Sequence, residues 1–360
     1  MQDKIIAALN TTVDQISFPE NLPHSRGKVR ESFLLPNGNR MLVVTDRISA
    51  FDFVLGTIPF KGQVLNQISI WWFQQLQGVV PHHFLSSPDP NISIVKNAKP
   101  LPIEIIVRGY LTGTTKTSSW YAYQNLGRQI CGIEMPEGMK KNQKFPIPLI
   151  TPTTKPDQGH DEPISREEII ARGLVSKDMY FKVEEYALKM FQLGQEIAAR
   201  NDLILVDTKY EMGIDEEGNL MVIDEVHTPD SSRYWIANSY EDHFERGEEP
   251  EMLDKEFVRR MIVQKGYDVN NPNEDPKKYL SEDLRKRASE RYIELFQRIT
   301  GVDFQFPTNL DVRGRIETYL NGFRPIPGVT LDVGKYKKTY LWVLCHKFLN
   351  KKFDFGICGA

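Results

Sequence analysis

The sequence predicts an α+β fold, with strands gathered early and again around residue 210 and helices between and after them. Three observations carry this. Short β-branched-rich runs punctuated by turn residues fill residues 27–107. Further on, apolar residues recur at spacings of three and four, the mark of helices with one buried face. Between them, Leu203 to Trp235 carries two apolar runs that each end in acid.

In chain order, Val29 to Leu35 reads as a strand, Pro36-Asn37-Gly38-Asn39 as a hairpin turn, and Met41 to Thr45 as the returning strand. Val64 to Leu76, with Leu65, Ile68, Trp72 and Leu76 on one side, supplies a helix to cover one face of this β-rich unit. Ile92 to Lys96 and Ile103 to Val107 add strands; the crowded Gly, Thr and Ser of Gly109 to Thr117 read as a break. Phe145 to Glu162, rich in proline and threonine, reads as one long loop, a length that is usually functional or disordered. Ser165 and Glu168 form a capping box that opens a helix, and Ser176 opens a second, with Tyr186, Met190 and Ile197 as its buried stripe. Leu203 to Val206 and Leu220 to Ile223 read as a hairpin around Asp215-Glu216-Glu217-Gly218-Asn219. Asp254 to Lys265 and Ser281 to Thr300 are amphipathic helices, the second with Leu284, Ala288, Tyr292, Leu295 and Ile299 as a core stripe. Leu310 to Leu320 is a last, charged helix, and no chemistry is evident from Gly301 to the end.

At 360 residues, 40% hydrophobic and 26% charged, the chain is an ordinary globular protein with room for two or three domains. A net charge of -3 gives no basic surface, so nucleic acid is not an expected partner and any phosphate binding is local. Cys131, Cys345 and Cys358 are too scattered for a thiolate metal site or a disulfide scaffold, which points to a reducing, cytoplasmic setting with thiols in the core. No stretch approaches the ~20 apolar residues a membrane span requires, so a soluble, untargeted protein is expected.

The chemistry is expected at the hairpin. A turn centred near Glu217 and Gly218 would set Glu211 opposite Asp224, with Cβ atoms roughly 5 Å apart. Facing carboxylates repel, and magnesium is usually held by one or two carboxylates plus substrate phosphates. Alone, the two acids read as solvated strand ends. Asp207 and Lys209 on the same strand, and Thr228-Pro229-Asp230-Ser231-Ser232-Arg233 after the second, add what polyanion chemistry needs. Arg26-Gly27-Lys28-Val29-Arg30 puts a glycine and three cations where backbone amides approach phosphates, although it lacks P-loop spacing. Thr45 to Asp52 reads equally as a capped turn or as a site. Lys61-Gly62 reads as a surface turn or a close backbone approach to a ligand. Arg108 to Thr114, an arginine followed by glycines and hydroxyls, suits a phosphate monoester. Lys155 and His160-Asp161-Glu162 add a cation, an imidazole and carboxylates. No G-x-S-x-G elbow or H-E-x-x-H spacing is present, which argues against a nucleophilic triad and zinc chemistry.

Seven ordered blocks, GKVRE (Gly27 to Glu31), TDRISAFD (Thr45 to Asp52), IPFKGQVLN (Ile58 to Asn66), VRGYLTGT (Val107 to Thr114), TPTTK with HDE (Thr151 to Lys155, His160 to Glu162), DTKYEMG (Asp207 to Gly213) and DEVHTPDSSRYW (Asp224 to Trp235), make the chain resemble the phosphoribosylaminoimidazole-succinocarboxamide synthase (SAICAR synthetase) family. The resemblance implies an ATP-dependent ligase joining L-aspartate to the carboxylate of carboxyaminoimidazole ribonucleotide (CAIR), with magnesium. It implies a β-rich, kinase-like ATP-binding domain over 1–115 and a larger α+β domain over 116–300 ending in helices. ATP would lie in the cleft between them, and 301–360 is an extension of unknown role. Gly27, Lys28, Val29 and Arg30 would sit by the ATP phosphates, Leu101 and Glu104 by adenine, and Glu211 and Asp224 on magnesium. Arg108, Thr114, Ser232 and Arg233 would hold the ribonucleotide phosphate, with Asp52, Lys155 and His160 also on the substrate side. Lys61, Asp161, Lys209 and Asp230 would surround the reacting groups as catalytic residues. The implied partners are these small molecules, with neither nucleic acid nor membrane, in a monomer or small homo-oligomer. Glu31, Thr114 and Met212 stand where the family more often has Asp, Ser and Phe. From the residues alone, another carboxylate-amine ligase, a small-molecule kinase and a nucleotide-sensing binding protein stay open, although a sensor has no use for paired metal carboxylates.

Overall fold

The structure is a computed structural model that describes residues 1–18, 22–155, 161–269, 271 and 273–322. Helix α1 (Gln2–Ala8) leads to β1 (His24–Arg26), β2 (Arg30–Leu34) and β3 (Arg40–Val44). The expected turn closes β2 onto β3 with Gly38 at φ 81°, left-handed backbone that glycine adopts without a Cβ clash. A short ribbon, β4 (Arg47–Ala50) with β5 (Phe53–Thr57), precedes α2 (Lys61–Gln75), β6 (Phe84–Asp89) and β7 (Ile92–Val95). The first sheet is antiparallel, in the order β1-β2-β3-β7-β6.

The second sheet begins with β8 (Lys99–Tyr110), longer than the predicted strand at both ends because Lys99 and Pro100 at one end and Arg108 and Tyr110 at the other still pair with neighbouring strands; the break starts only at Leu111. After α3 (Ser119–Asn125) and the small pair β9 (Gln129–Ile130) and β10 (Ile133–Glu134) comes β11 (Lys144–Thr154). Here the expectation of one long loop is corrected. β11 is an edge strand paired with β8, and an edge tolerates Pro146, Pro148 and Pro152, which would interrupt a central ladder.

Helices α4 (Arg166–Ala171) and α5 (Lys177–Arg200) start at their serine caps, the first with the full Ser165–Glu168 capping box. The chain then forms β12 (Leu203–Ile214), β13 (Leu220–Ile223) and β14 (Ser232–Ile236). The hairpin is also corrected: β13 pairs only with Glu211 to Ile214, while the Leu203 end of β12 pairs with β14. A four-residue strand cannot cover a twelve-residue one, and the remainder takes the next extended segment. The other edge of β13 is covered too. Val222 donates its amide to the Pro81 carbonyl (2.9 Å) and accepts from the His83 amide (3.0 Å), so a strap from the start of β6 closes that side.

Helices α6 (Ala237–Arg246), α7 (Glu256–Gln264), α8 (Glu282–Thr300) and α9 (Val312–Asn321) complete the described chain. The main core joins both sheets: Leu65, Ile68 and Trp72 of α2 share one cluster with Ile105 of β8, Leu205 of β12 and Tyr292 of α8. Each such side chain withdrawn from water contributes roughly 1.5–3 kcal/mol. Phe33, Met41 and Ile92 on the far face of the first sheet are covered by Val312, Ile316 and Leu320 of α9. Past Thr300 the chain therefore first adds Phe304 to the main core and then packs α9 on the first sheet. Cys131 is half-buried, its thiol pushed up to about 11 by burial; Cys345 and Cys358 lie outside the described residues. Among the described residues, no helix is long and apolar enough to cross a membrane.

Candidate active site

Neighbouring strands create the first cluster. β8 and β12 align Glu104 directly opposite Glu211, so the sheet does bring two carboxylates face to face, but they are not the pair expected from the hairpin. Lys209, two residues before Glu211 on the same face, donates to both, at 2.7 Å to Glu104 Oε1 and 2.5 Å to Glu211 Oε1. Lys155, at the end of β11, pairs with the other Glu211 oxygen and lies 3.8 Å from Glu104. Burial pushes Glu104 above the usual carboxylate range against the pull of Lys209, with Glu211 adding repulsion. Burial acts the same way on Glu211, but Lys209 and Lys155 override it and hold that carboxyl low.

The register places Glu211 opposite Ile223, so Asp224 lies one residue beyond the expected position. The cause is the turn. Asp215 accepts from the amides of Glu217 (3.0 Å) and Asn219 (2.8 Å), which centres the loop on Glu217 alone. Asp224 then takes φ 65°, a left-handed conformation that aspartate tolerates better than most side chains, and leaves the ladder. Its carboxylate meets Arg30 of β2 at 2.5 Å, and the same guanidinium pairs with Glu225. Burial works against charge on Arg30, but Asp224 and Glu225, with Asp230 and Glu211 further off, raise it above its ordinary value. Arg47, fully buried, donates to the carbonyls of Lys28 (2.9 Å) and Gly27 (3.1 Å) and to Glu31 (2.6 Å), fixing the backbone that delivers Arg30. Lys28 itself is exposed and pairs with Asp52 at 2.8 Å.

A row of three strands makes the next cluster: Asp207 of β12 is in register with Arg108 of β8 on one side and Arg233 of β14 on the other. Arg233 donates to Asp207 at 2.6 Å and Arg108 lies at 3.8 Å, so two guanidinium groups share one carboxylate. Arg108 is further held by Thr151 (2.8 Å) and the Thr117 carbonyl (2.9 Å). Ser232 donates to Thr208 at 2.8 Å beside them. At Gly113, φ 88°, an added Cβ would meet Arg233 Nη2 at 3.1 Å and Ser118 at 2.6 Å; only glycine lets this loop close over the guanidinium, with exposed Thr114 next to it.

Asp230 is the hub of the last cluster. Lys61, at the start of α2 and wholly buried, donates to it at 2.8 Å; Tyr292 of α8 donates at 2.9 Å; Lys255 lies 3.7 Å away. Burial opposes charge on Asp230, but Lys255 and Lys61 hold its carboxyl below the usual range.

The structure thus gathers Arg30, Lys61, Arg108, Lys155, Lys209, Glu104, Glu211, Asp224, Asp230, Ser232 and Arg233 into adjoining clusters. Leu101 is buried in the main core, and Asp161 is exposed. His160 falls outside the described residues. Sequence reasoning missed Glu225, although it adjoins Asp224, and missed Lys255 and Tyr292. Tyr292 looked like a stripe residue only, and nothing local marked Lys255. Among the described residues, no group of three or more His, Cys, Asp or Glu forms a metal cage. Magnesium needs only one or two carboxylates beside substrate phosphates, so the oxygen donors of Glu211 and Asp224, both within the field of Lys209, suit it in kind.

A family model described as SAICAR synthetase matches residues 23–274. The chain is 48% identical over 285 residues to the phosphoribosylaminoimidazole-succinocarboxamide synthase of Legionella pneumophila strain Paris, which covers 79% of this chain and 89% of that one. It is 44% identical over 314 residues to the enzyme of the same name from Bacteroides fragilis, covering 87% and 98%. Among solved structures, the SAICAR synthase from Saccharomyces cerevisiae complexed with SAICAR aligns with a TM-score of 0.69 at 31% identity, over 82% of this chain and 100% of that one. A type-2 SAICAR synthetase in complex with ADP aligns with a TM-score of 0.59 at 25% identity, over 79% and 100%. Matched along most of its length by both sequence and fold, and carrying the site blocks in order, the chain belongs to the SAICAR synthetase family.

Proposed function

We propose that this chain catalyses ATP-dependent joining of L-aspartate to the carboxylate of CAIR, giving SAICAR, ADP and phosphate in de novo purine biosynthesis. The observation that carries this is the adjacency of three charge clusters. The Arg30 set and the Lys155–Lys209 set suit a triphosphate, the Arg108–Arg233 set suits a phosphate monoester, and Asp230 is close enough to perturb Arg30. In this reading Gly27, Lys28, Val29 and Arg30 receive the ATP phosphates, and the Lys99–Glu104 stretch, with Leu101 and Glu104, receives adenine. Arg108, Thr114, Ser232 and Arg233 hold the CAIR phosphate, with Asp52 and His160 also on the substrate side. Lys155 and Lys209 move from carboxylate partners to phosphoryl oxygens, and Asp161, Asp230 and Lys61, the last acting through Asp230, frame the reacting groups.

Glu211 and Asp224 would hold magnesium, which when bound would supply positive charge against the transferring phosphoryl group. The protein's own contribution is charge control and orientation; fixing two reactants in one complex is worth up to about 7–11 kcal/mol. Residues 1–115 act as a kinase-like nucleotide unit and 116–300 as the substrate and metal unit, with ATP in the cleft between them. The enzyme works in the cytoplasm as a monomer or small homo-oligomer, without nucleic acid or membrane. The test is a coupled assay for ADP release with ATP, CAIR and L-aspartate omitted in turn. Release that needs all three supports the reading; release independent of aspartate points to a kinase, and binding of ATP without any product points to a sensor.

A further inference from the structure

Lys255 sits at the mouth of α7, held against the Thr228–Arg233 turn by its backbone amide, which donates to the Pro229 carbonyl at 3.0 Å. Its side chain is only 13% exposed. An ammonium carries three donors. Among the described residues this one makes no hydrogen bond, and its single ion pair, to Asp230, is long at 3.7 Å. Lys61 and Tyr292 already donate to the two Asp230 oxygens at 2.8 and 2.9 Å, so Lys255 supports that carboxylate by charge alone and its donors stay unused. A mostly buried cation with unused donors is costly unless a partner arrives.

The other cations of the site hold hydrogen-bonded partners, Arg108 through Thr151 and the Thr117 carbonyl although its ion pair to Asp207 is 3.8 Å long. Arg30 has Asp224 and Glu225, Lys155 and Lys209 share Glu104 and Glu211, Arg233 has Asp207, and Arg259 has Glu256 at 3.1 Å. Of these cations, Lys255 is the one whose side chain makes no hydrogen bond among the described residues. Of the three substrates, the dicarboxylic amino acid alone has had no cation assigned to it.

We propose that Lys255 is a further substrate-binding residue, its ammonium anchoring a carboxylate of L-aspartate beside Asp230. The inference rests on the function proposed above. Burial lowers the lysine to about 8 against the attraction of Asp230, with Arg259 and Lys61 adding repulsion and Glu225 attraction, so an arriving carboxylate relieves an environment unfavourable to the charge.

The test is steady-state kinetics of wild type, Lys255→Met and Lys255→Arg, each substrate varied in turn, with succinate as a competitive probe that keeps both carboxylates and lacks the amine. Losing a charged hydrogen bond to substrate should raise KM for aspartate and Ki for succinate about 10- to 100-fold in Lys255→Met. KM for ATP and CAIR should stay within about twofold, and Lys255→Arg should recover part of the loss because it keeps the charge. A rise in KM for CAIR instead, or a fall in kcat with the aspartate and succinate constants unchanged, overturns the proposal. Where Lys255→Met fails to fold, Lys255→Gln carries the same comparison. A wild-type protein that releases no ADP with the three substrates defeats the functional reading itself, and the two failures are thereby distinguished.

Discussion

Lys61→Met isolates the buried pair at the centre of the site. Lys61 is wholly buried and donates to Asp230 at 2.8 Å, so the substitution strands a carboxylate that water cannot reach. Removing one partner of a buried pair costs ~3–5 kcal/mol. The lower end applies here, because Asp230 keeps the Tyr292 hydroxyl at 2.9 Å and has Lys255 at 3.7 Å to draw closer. At about 2.1 cal/mol/K of unfolding entropy per residue, a loss of ~3 kcal/mol lowers the melting temperature of a 360-residue chain by about 4 °C. Thermal unfolding followed by circular dichroism at neutral pH measures it. The double variant Lys61→Met with Asp230→Asn should regain more than half of the loss, since no orphan charge remains. A drop under about 2 °C in the single variant, or a double variant as unstable as the sum of the singles, would refute the claim that burial makes this pair strong.

Asp224→Asn should abolish turnover and leave the melting temperature nearly unchanged: asparagine accepts the left-handed backbone at φ 65°, and Arg30 keeps Glu225. ADP release at the wild-type rate would count against a role for Asp224. For Lys255, near 8 in the free protein, the charged form persists below that pH and is lost above it, so kcat/KM for L-aspartate should gain a falling limb as pH passes about 8. The groups facing it are Asp230, Arg259, Lys61 and Glu225. Aspartate's own amine pushes the rate the other way, and Lys255→Arg should remove the limb; identical pH profiles for the two proteins would exclude the assignment. Ile316→Ala, at a fully buried site between α9 and the first sheet, should cost ~2–5 kcal/mol in urea unfolding. A loss below about 1 kcal/mol would mean that this face is not packed as described.

Local signals were legible in the sequence wherever one residue type settles the backbone. Asn37-Gly38 fixed the first hairpin, Ser165 with Glu168 opened α4, and the stripe from Leu284 to Ile299 gave α8 to within a residue. Non-local pairing was less legible. Three prolines disguised β11 as loop, because a sequence does not tell an edge from a centre. The principle of opposed carboxylates around a cation held, but on Glu104 and Glu211, which lie 107 positions apart and meet only through β8–β12 register. Within the hairpin, the Asp215 side chain shifted the turn by half a residue and so moved Asp224 off Glu211. Lys255 and Tyr292 join the site from helices distant in sequence, a convergence that no local pattern encodes.

The strap along β13 has a mechanical consequence. Val222, two residues before Asp224, shares both its backbone groups with Pro81 and His83, and those residues run straight into the first sheet through β6. Any hinge that swung the sheets apart elsewhere would have to tear this tether or drag Asp224 along. Asp224 is therefore coupled mechanically to the first sheet, and a substitution near residue 81 would loosen that coupling without touching a single charged group.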